Sequence, residues 1–239
     1  GRPVFLEAHI SRLNNSLKDL NGFQSVSLEL FKAHFELRMA LSSCSPKAVL
    51  KFSVYLGNNA LYWHISITED RYPQGVPWPL RLELSPNLQS AKNPLNTHKT
   101  MNYWSRSLDL TRTSDKLIDE VIYCDEHGNV LEGSKGNIFI LKDNVWFTPD
   151  AHSGILVGIA RDWFIQCLKE RGELFREQSI ALSDLIASDV IVLTNSLIGL
   201  SIGTLENHAN PEKAPLLKDH LAWLKSLQLA YRGGHYGQI

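Results

Sequence analysis

The sequence predicts an α/β protein of the α+β type, a small α/β domain followed by a larger one. Three observations carry this. Two amphipathic stretches near the start precede three strand-like runs, at 49–56, 61–68 and 80–84. A polar, proline-bounded segment follows, SPNLQSAKNPLN at 85–96. Beyond it, short apolar runs of strand type cluster between Glu120 and Phe147, and helical spacing resumes at Ile159. This places a small domain over 1–88, an interdomain linker over 89–96 and a larger domain over 97–239.

Composition narrows the classes. With 239 residues, 44% of them hydrophobic, the chain can bury one large or two modest cores. A net charge of −1, dispersed along the sequence, points away from nucleic acid as a partner. Cys44, Cys124 and Cys167 are scattered and odd in number, so neither a disulfide framework nor a metal site is expected, and a reducing cytoplasm is the simplest compartment. No apolar run reaches membrane-spanning length and no signal peptide is visible, so no membrane association is expected.

Taken in order, Leu6, Ile10, Leu13, Leu17 and Leu20 share one helical face that stops at Gly22, and a second helix is expected over roughly 28–41. After the linker, the pattern following Lys99 defines no clear helix. Glu120 to Asp125 reads as a strand, 126–129 as a turn, and Val130 starts a strand leading to Glu132. A Gly-Ser-Lys-Gly turn, strands over 137–141 and 145–147, and a glycine-framed loop lead to a helix from Ile159 to near Gly172. A strand over 174–180, a short helix at Leu182 to Ile186 and a buried strand from Asp189 to Leu193 follow. A strand over 199–205, a closing helix over 211–231 and a mobile tail from Gly233 complete the reading.

A helix that begins after a glycine presents free N–H groups and the positive end of its dipole, which suits a phosphate. Many such helices bind nothing. By the same standard Lys99 is an ordinary surface lysine, Glu132 a turn-flanking acid and Arg12 an exposed helix arginine. Their company singles them out.

EGSKGNIFI, then FTP, then GILVGIAR resembles the central signature of the fold-type IV (class IV) pyridoxal-phosphate enzymes. These include branched-chain and D-amino-acid aminotransferases and 4-amino-4-deoxychorismate lyases. The resemblance implies a D-amino-acid aminotransferase-like fold, a small α/β domain beside a larger pseudo-barrel. It implies pyridoxal 5'-phosphate as cofactor, an amino-acid-like substrate and a homodimer. Relatives place several strands, with a YGxxxFE-like segment, ahead of the first helix; here the sequence runs from Gly1 almost directly into that helix, so those strands are expected to be missing.

Residue by residue, THKTMNYW resembles an HKTxN element whose lysine, here Lys99, forms the Schiff base. Glu132 matches the acid that pairs with the pyridine nitrogen and keeps it protonated. Arg12, in HISRL, matches an arginine that grips the phosphate, a task a guanidinium fork performs better than an ammonium. The N–H groups of Ile159 and Ala160, and the hydroxyl of Ser196, would complete the phosphate site. Lys99 must be neutral to attack, so burial beside a cationic site is expected to lower its pKa. Three positions depart from the pattern. Ala160 stands where many relatives have threonine, a proline-valine pair is replaced around Ser201-Ile202-Gly203, and either Tyr103 or Trp104 could fill the place of a tyrosine near the lysine.

The resemblance leaves the reaction open. HKTxNY and LTNSLIG are closer to the lyase versions of these elements, implying β-elimination of pyruvate from 4-amino-4-deoxychorismate to give 4-aminobenzoate. Transamination of branched-chain or D-amino acids is the alternative, and a truncated, non-catalytic cofactor-binding relative is a third.

Overall fold

Apolar periodicity sets the first helix, α1 (Leu6–Asn21), which carries Glu7 in its first turn and Lys18 in its last, the arrangement its dipole favours. The computed structural model describes residues 4–21, 26–27, 29, 31–32, 34–36, 48–58, 60–70, 78–113, 117–206 and 218–233. The chain divides into two units, Gly1–Gly75 and Val76–Ile239.

In the first unit, β1 (Val49–Gly57) and β2 (Ala60–Thr68) form an antiparallel pair. Ile10 of α1, Phe31 and Ile65 are the buried centre, with Leu6, Phe35, Leu50, Phe52 and Ile67 around them. Phe31 meets Phe52 edge-on at 4.8 Å between ring centroids, a favoured aromatic geometry. Asn14 fixes the chain after α1 through two bonds to Val26, donating Nδ2 to its carbonyl at 3.0 Å and accepting its N–H at 2.9 Å. Of the second helix expected over 28–41, residues 29, 31–32 and 34–36 are helical, and the others lie outside the described residues.

The second unit is built on strands that read as nearly unbroken apolar runs, because both faces are covered. They are β3 (Leu80–Leu84), β4 (Glu120–Cys124), β5 (Asn129–Gly133), β6 (Asn137–Lys142), β7 (Val145–Thr148), β8 (Phe175–Glu177), β9 (Ile180–Ala181), β10 (Val190–Asn195) and β11 (Gly199–Leu205). Six of them close on themselves in the order β6-β10-β11-β3-β4-β5, with β5 returning to β6 through Glu132 and Asn137. This is the pseudo-barrel. β3 runs parallel to both its neighbours.

The helices of this unit are α2 (Trp104–Thr111), α3 (Ile159–Arg171), α4 (Leu182–Ala187) and α5 (Lys218–Gly233). α3 packs Phe164 edge-on against Phe139 of β6 and Trp146 of β7. It ends at Gly172, whose φ of 74° is the left-handed cap that glycine supplies without strain. Of the closing helix expected over 211–231, the part at 211–217 lies outside the described residues, as does the tail at 234–239.

Two expectations are corrected here. The strand run at 80–84 belongs to the barrel and not to the small domain: Leu82 is fully buried between β4 and β11. The segment 89–96, expected to link domains, accordingly lies inside the second unit, and the division falls earlier, between Gly75 and Val76. Strand pattern reports that a run pairs, but not with which sheet. The single strand expected over 174–180 is two strands on opposite edges, β8 parallel to β7 and β9 antiparallel to β5.

Candidate active site

Glu132 sits at the pair that closes the barrel. In antiparallel pairs directly opposite residues share a face, so Glu132 of β5, Asn137 of β6 and Thr194 of β10 form a row across three strands. Glu132 is 2% exposed. Its Oε1 accepts Arg106 Nη2 at 2.7 Å; its Oε2 accepts the Leu156 N–H at 3.3 Å and Asn137 Nδ2 at 3.4 Å. Burial pushes its carboxyl above the ordinary carboxylate range, while Arg106 and, more weakly, the Leu156 N–H and Lys99 pull the other way. The turn after it is held by a second buried carboxylate, Glu120, which accepts the N–H groups of Val121 and Ser134 and, in a short contact, the Ser134 hydroxyl.

Asn137 joins this acid to the start of α3. Its Nδ2 donates to Leu156 O at 2.6 Å, and Gly158 lies so close that a Cβ there would overlap Asn137 Oδ1. Gly158 is the N-cap of α3 and no side chain caps it. The first intrahelical bond is from Asp162 N to Gly158 O at 3.0 Å, so the N–H groups of Ile159 and Ala160 precede the ladder. Arg161, fully internal, ties the helix to the loop before it and to β8, donating Nη2 to Pro149 O at 2.8 Å and to Glu177 Oε2 at 2.7 Å.

Lys99 lies in the loop opposite. It is exposed, contrary to the burial expected of it, because the stretch from His98 to Tyr103 is a surface loop. Its Nζ is 4.5 Å from the centre of the Tyr103 ring, while Trp104 is 81% exposed, so Tyr103 is the aromatic beside the lysine. Its chain neighbours His98 and Thr100 line the same cavity as Glu132.

A cavity of about 240 Å³ opens beside Glu132, with Gln89, His98, Thr100, Tyr103, Arg106 and Leu156 in its wall. Lys99, Ile159, Ala160 and Ser196 are outside its lining. Ser196 is half-buried in the β10–β11 turn, where its carbonyl accepts the Tyr231 hydroxyl at 3.4 Å. Arg12 is half-buried on α1 in the first unit.

Sequence reading missed Arg106 and gave Asn137 no role. Arg106 stands three residues after Tyr103, the N-cap of α2, but the helix following Lys99 was poorly defined by its sequence pattern. Asn137 stood within the quoted EGSKGN motif.

Thr194 yields a stability prediction. It is 1% exposed, and its Oγ1 has no hydrogen-bond partner among the described residues. An unsatisfied buried hydroxyl costs about 1–3 kcal/mol. Thr194→Val, of the same shape, should raise stability by about 1 kcal/mol in urea denaturation. A loss of stability would mean that the hydroxyl is paired in solution.

A buried carboxylate held by an arginine in a cavity whose wall flanks a lysine, with an uncapped helix start beyond, suits a cofactor bearing an electrophilic carbon, a basic ring nitrogen and an anionic tail. The chain belongs to the amino-transferase class IV family, whose model matches residues 1–204. That is a family of pyridoxal-phosphate-dependent enzymes, which identifies the cofactor, and the donor set around Glu132 fits it.

An aminodeoxychorismate lyase of Bacillus subtilis (strain 168) is 26% identical over 217 residues, covering 83% of this chain and 71% of its own. A branched-chain-amino-acid aminotransferase of Escherichia coli (strain K12) is 35% identical over 95 residues, 40% of this chain and 31% of the relative. The match thus spans about a third of the length of the branched-chain relatives. Among solved structures, the pyridoxal-phosphate-bound form of a hypothetical aminotransferase from Mycobacterium tuberculosis superposes with a TM-score of 0.79 at 18% identity, over 95% of this chain and 84% of that one. This likeness bears on the fold. No helix among the described residues is long and apolar enough to cross a membrane.

Proposed function

We propose that the protein is a pyridoxal-phosphate enzyme acting on an amino-acid-like substrate, and that its reaction is β-elimination of pyruvate from 4-amino-4-deoxychorismate, leaving 4-aminobenzoate. The observation that carries the class of chemistry is the buried, arginine-held Glu132 sharing one cavity with His98 and Thr100, the chain neighbours of Lys99. The lyase is favoured because the likeness to the B. subtilis lyase runs over 83% of the chain. Transamination of branched-chain amino acids is the second reading, supported by the higher local identity of 35% to the E. coli aminotransferase.

When bound, the cofactor supplies an electron sink for charge developing at the substrate's α carbon. Lys99 would hold the cofactor covalently through its Nζ and would take up the substrate's α proton at the same atom. Glu132 is assigned the ring nitrogen, where an anionic carboxylate favours the protonated form. The N–H groups of Ile159 and Ala160, the Ser196 hydroxyl and Arg12 are assigned to the phosphate, Arg12 on the HISRL match alone. We further assign the protein to the cytoplasm, in keeping with the free, buried thiols of Cys124 and Cys167. We assign a homodimer as well, in keeping with the exposed Leu88, Met101 and Trp104.

Protein loaded with pyridoxal phosphate should release 4-aminobenzoate and pyruvate in equal amounts from 4-amino-4-deoxychorismate. Formation of glutamate from a branched-chain amino acid and 2-oxoglutarate, without lyase turnover, would select the second reading. Uptake of the cofactor with neither activity would leave a non-catalytic relative.

A further inference from the structure

Glu132 is buried, yet one of its oxygens ends against a cation and the other is only loosely held. Oε1 meets Arg106 Nη2 at 2.7 Å, whereas Oε2 has long contacts, 3.3 Å and 3.4 Å. The guanidinium is itself fixed. Arg106 donates Nη1 to Gly133 O at 3.4 Å and Nη2 to Gln89 Oε1 at 3.3 Å, and it lies 5.6 Å from the centre of the Tyr123 ring. The Tyr123 hydroxyl donates to Asp109 Oδ2 at 2.7 Å, and Asn87 Nδ2 donates to Asp109 Oδ1 at 2.7 Å. Burial and Asp109 push the Tyr123 phenol far above its usual range, so it stays a donor. Arg106 and Asp109 stand one helical turn apart on α2, so this short helix both carries the cation and helps seat the ring beneath it.

A carboxylate taken out of water without a partner takes up a proton instead. Among the described residues, the cations acting on Glu132 are Arg106 and Lys99; the acids nearby are Glu120, packed against Gly133, and Asp109, screened behind Tyr123. Lys99 is exposed and is committed to other chemistry in the reaction proposed above. Arg106 is the cation with no such second duty.

We propose that Arg106 is a positioning residue for Glu132: it holds the carboxylate ionised and anchored through Oε1, so that Oε2 is presented as an anionic acceptor to the ring nitrogen of the cofactor. This rests on the assignment of Glu132 given above and adds a residue that acts through it. The pair sets how firmly the ring nitrogen keeps its proton, and therefore how well the site accepts electrons from the substrate.

The test uses the full chain with Arg106→Gln, Arg106→Lys and the double variant Arg106→Gln/Glu132→Gln. Denaturation by urea between pH 5 and pH 9 follows the proteins without cofactor, and absorbance titration measures uptake of pyridoxal phosphate. A carboxyl raised by burial binds its proton more tightly in the folded state, so its contribution to stability is lost as pH rises through the folded pKa. Removing the neighbouring cation raises that pKa further, which carries the loss to higher pH.

Arg106→Gln should therefore be least impaired at pH 5 and fall further behind the wild type as pH rises. Arg106→Lys should lie between them. The double variant should fold and lose this pH dependence, since removing both partners of a buried pair is tolerated where removing one is not. Pyridoxal phosphate should bind Arg106→Gln about tenfold or more weakly at pH 8. A pH-independent deficit, with cofactor affinity within twofold of the wild type, would overturn the role of Arg106. A wild type that takes up no pyridoxal phosphate would overturn the cofactor reading, and this proposal with it. If Arg106→Gln does not fold, the lysine and double variants carry the same comparison.

Discussion

Lys99→Ala should lower turnover by about 10³-fold or more, the scale of a lost proton-transfer group, and should abolish covalent retention of the cofactor. Wild-type protein incubated with pyridoxal phosphate should show a visible absorption band and, after borohydride, a label that survives denaturation. The variant should show neither. Its fold should be intact, because an exposed loop side chain changes stability by about 0.5 kcal/mol or less. Far-UV circular dichroism and a urea melt would check this. A variant that retains the borohydride label would move the attachment point to another lysine and remove the assignment of Lys99.

Gly154→Ala should cost roughly 2–5 kcal/mol, combining about 1–2 for a left-handed backbone with about 1–3 for overpacking. Gly154 has φ 72°, and a Cβ on it would overlap the carbonyl oxygen of Ala91, which is backbone and cannot swing aside. The change should also be felt in the cavity. Ala91 lies between Gln89 and Asn93, both in the cavity wall, so a displaced loop would weaken cofactor uptake beyond what the lost stability explains. Equilibrium denaturation and a cofactor titration on the folded fraction separate the two effects. A variant as stable as the wild type would mean that the 89–93 segment is loosely held in solution.

The wider stretch at 85–96 marks the limit of what the sequence displayed. Its prolines, serines and asparagines read as a linker because they form no repeating pattern, yet Ser85 N and Gln89 N are bonded to the carbonyls of Ile122 and Cys124 beside β4. Loop chemistry declares that a chain turns, and leaves open what the turn rests on. The strands were legible for the opposite reason: runs such as Ile138 to Leu141 are buried without interruption and announce themselves. Pairing partners were not, since register comes from long-range contacts, and so β3 was assigned to the wrong unit. Within the site, Lys99 and Glu132 stood out through the motifs around them. Arg106 did not, because an arginine on a short helix of weak pattern looks like any solvated cation until the fold turns it against a carboxylate.

The insertion of β3 between β4 and β11 has a consequence for biosynthesis. Residues 80–84 leave the ribosome long before residues 199–205, yet the two strands lie side by side in parallel. The ring that holds Glu132 therefore cannot close while the chain is growing, however early β4, β5 and β6 assemble among themselves. Until Leu205 has emerged, β3 has one unpaired flank, a row of backbone donors and acceptors open to other chains. Nascent chains stalled before β11 should accordingly be prone to aggregate and unable to retain the cofactor, and both properties should change together once that last strand is released.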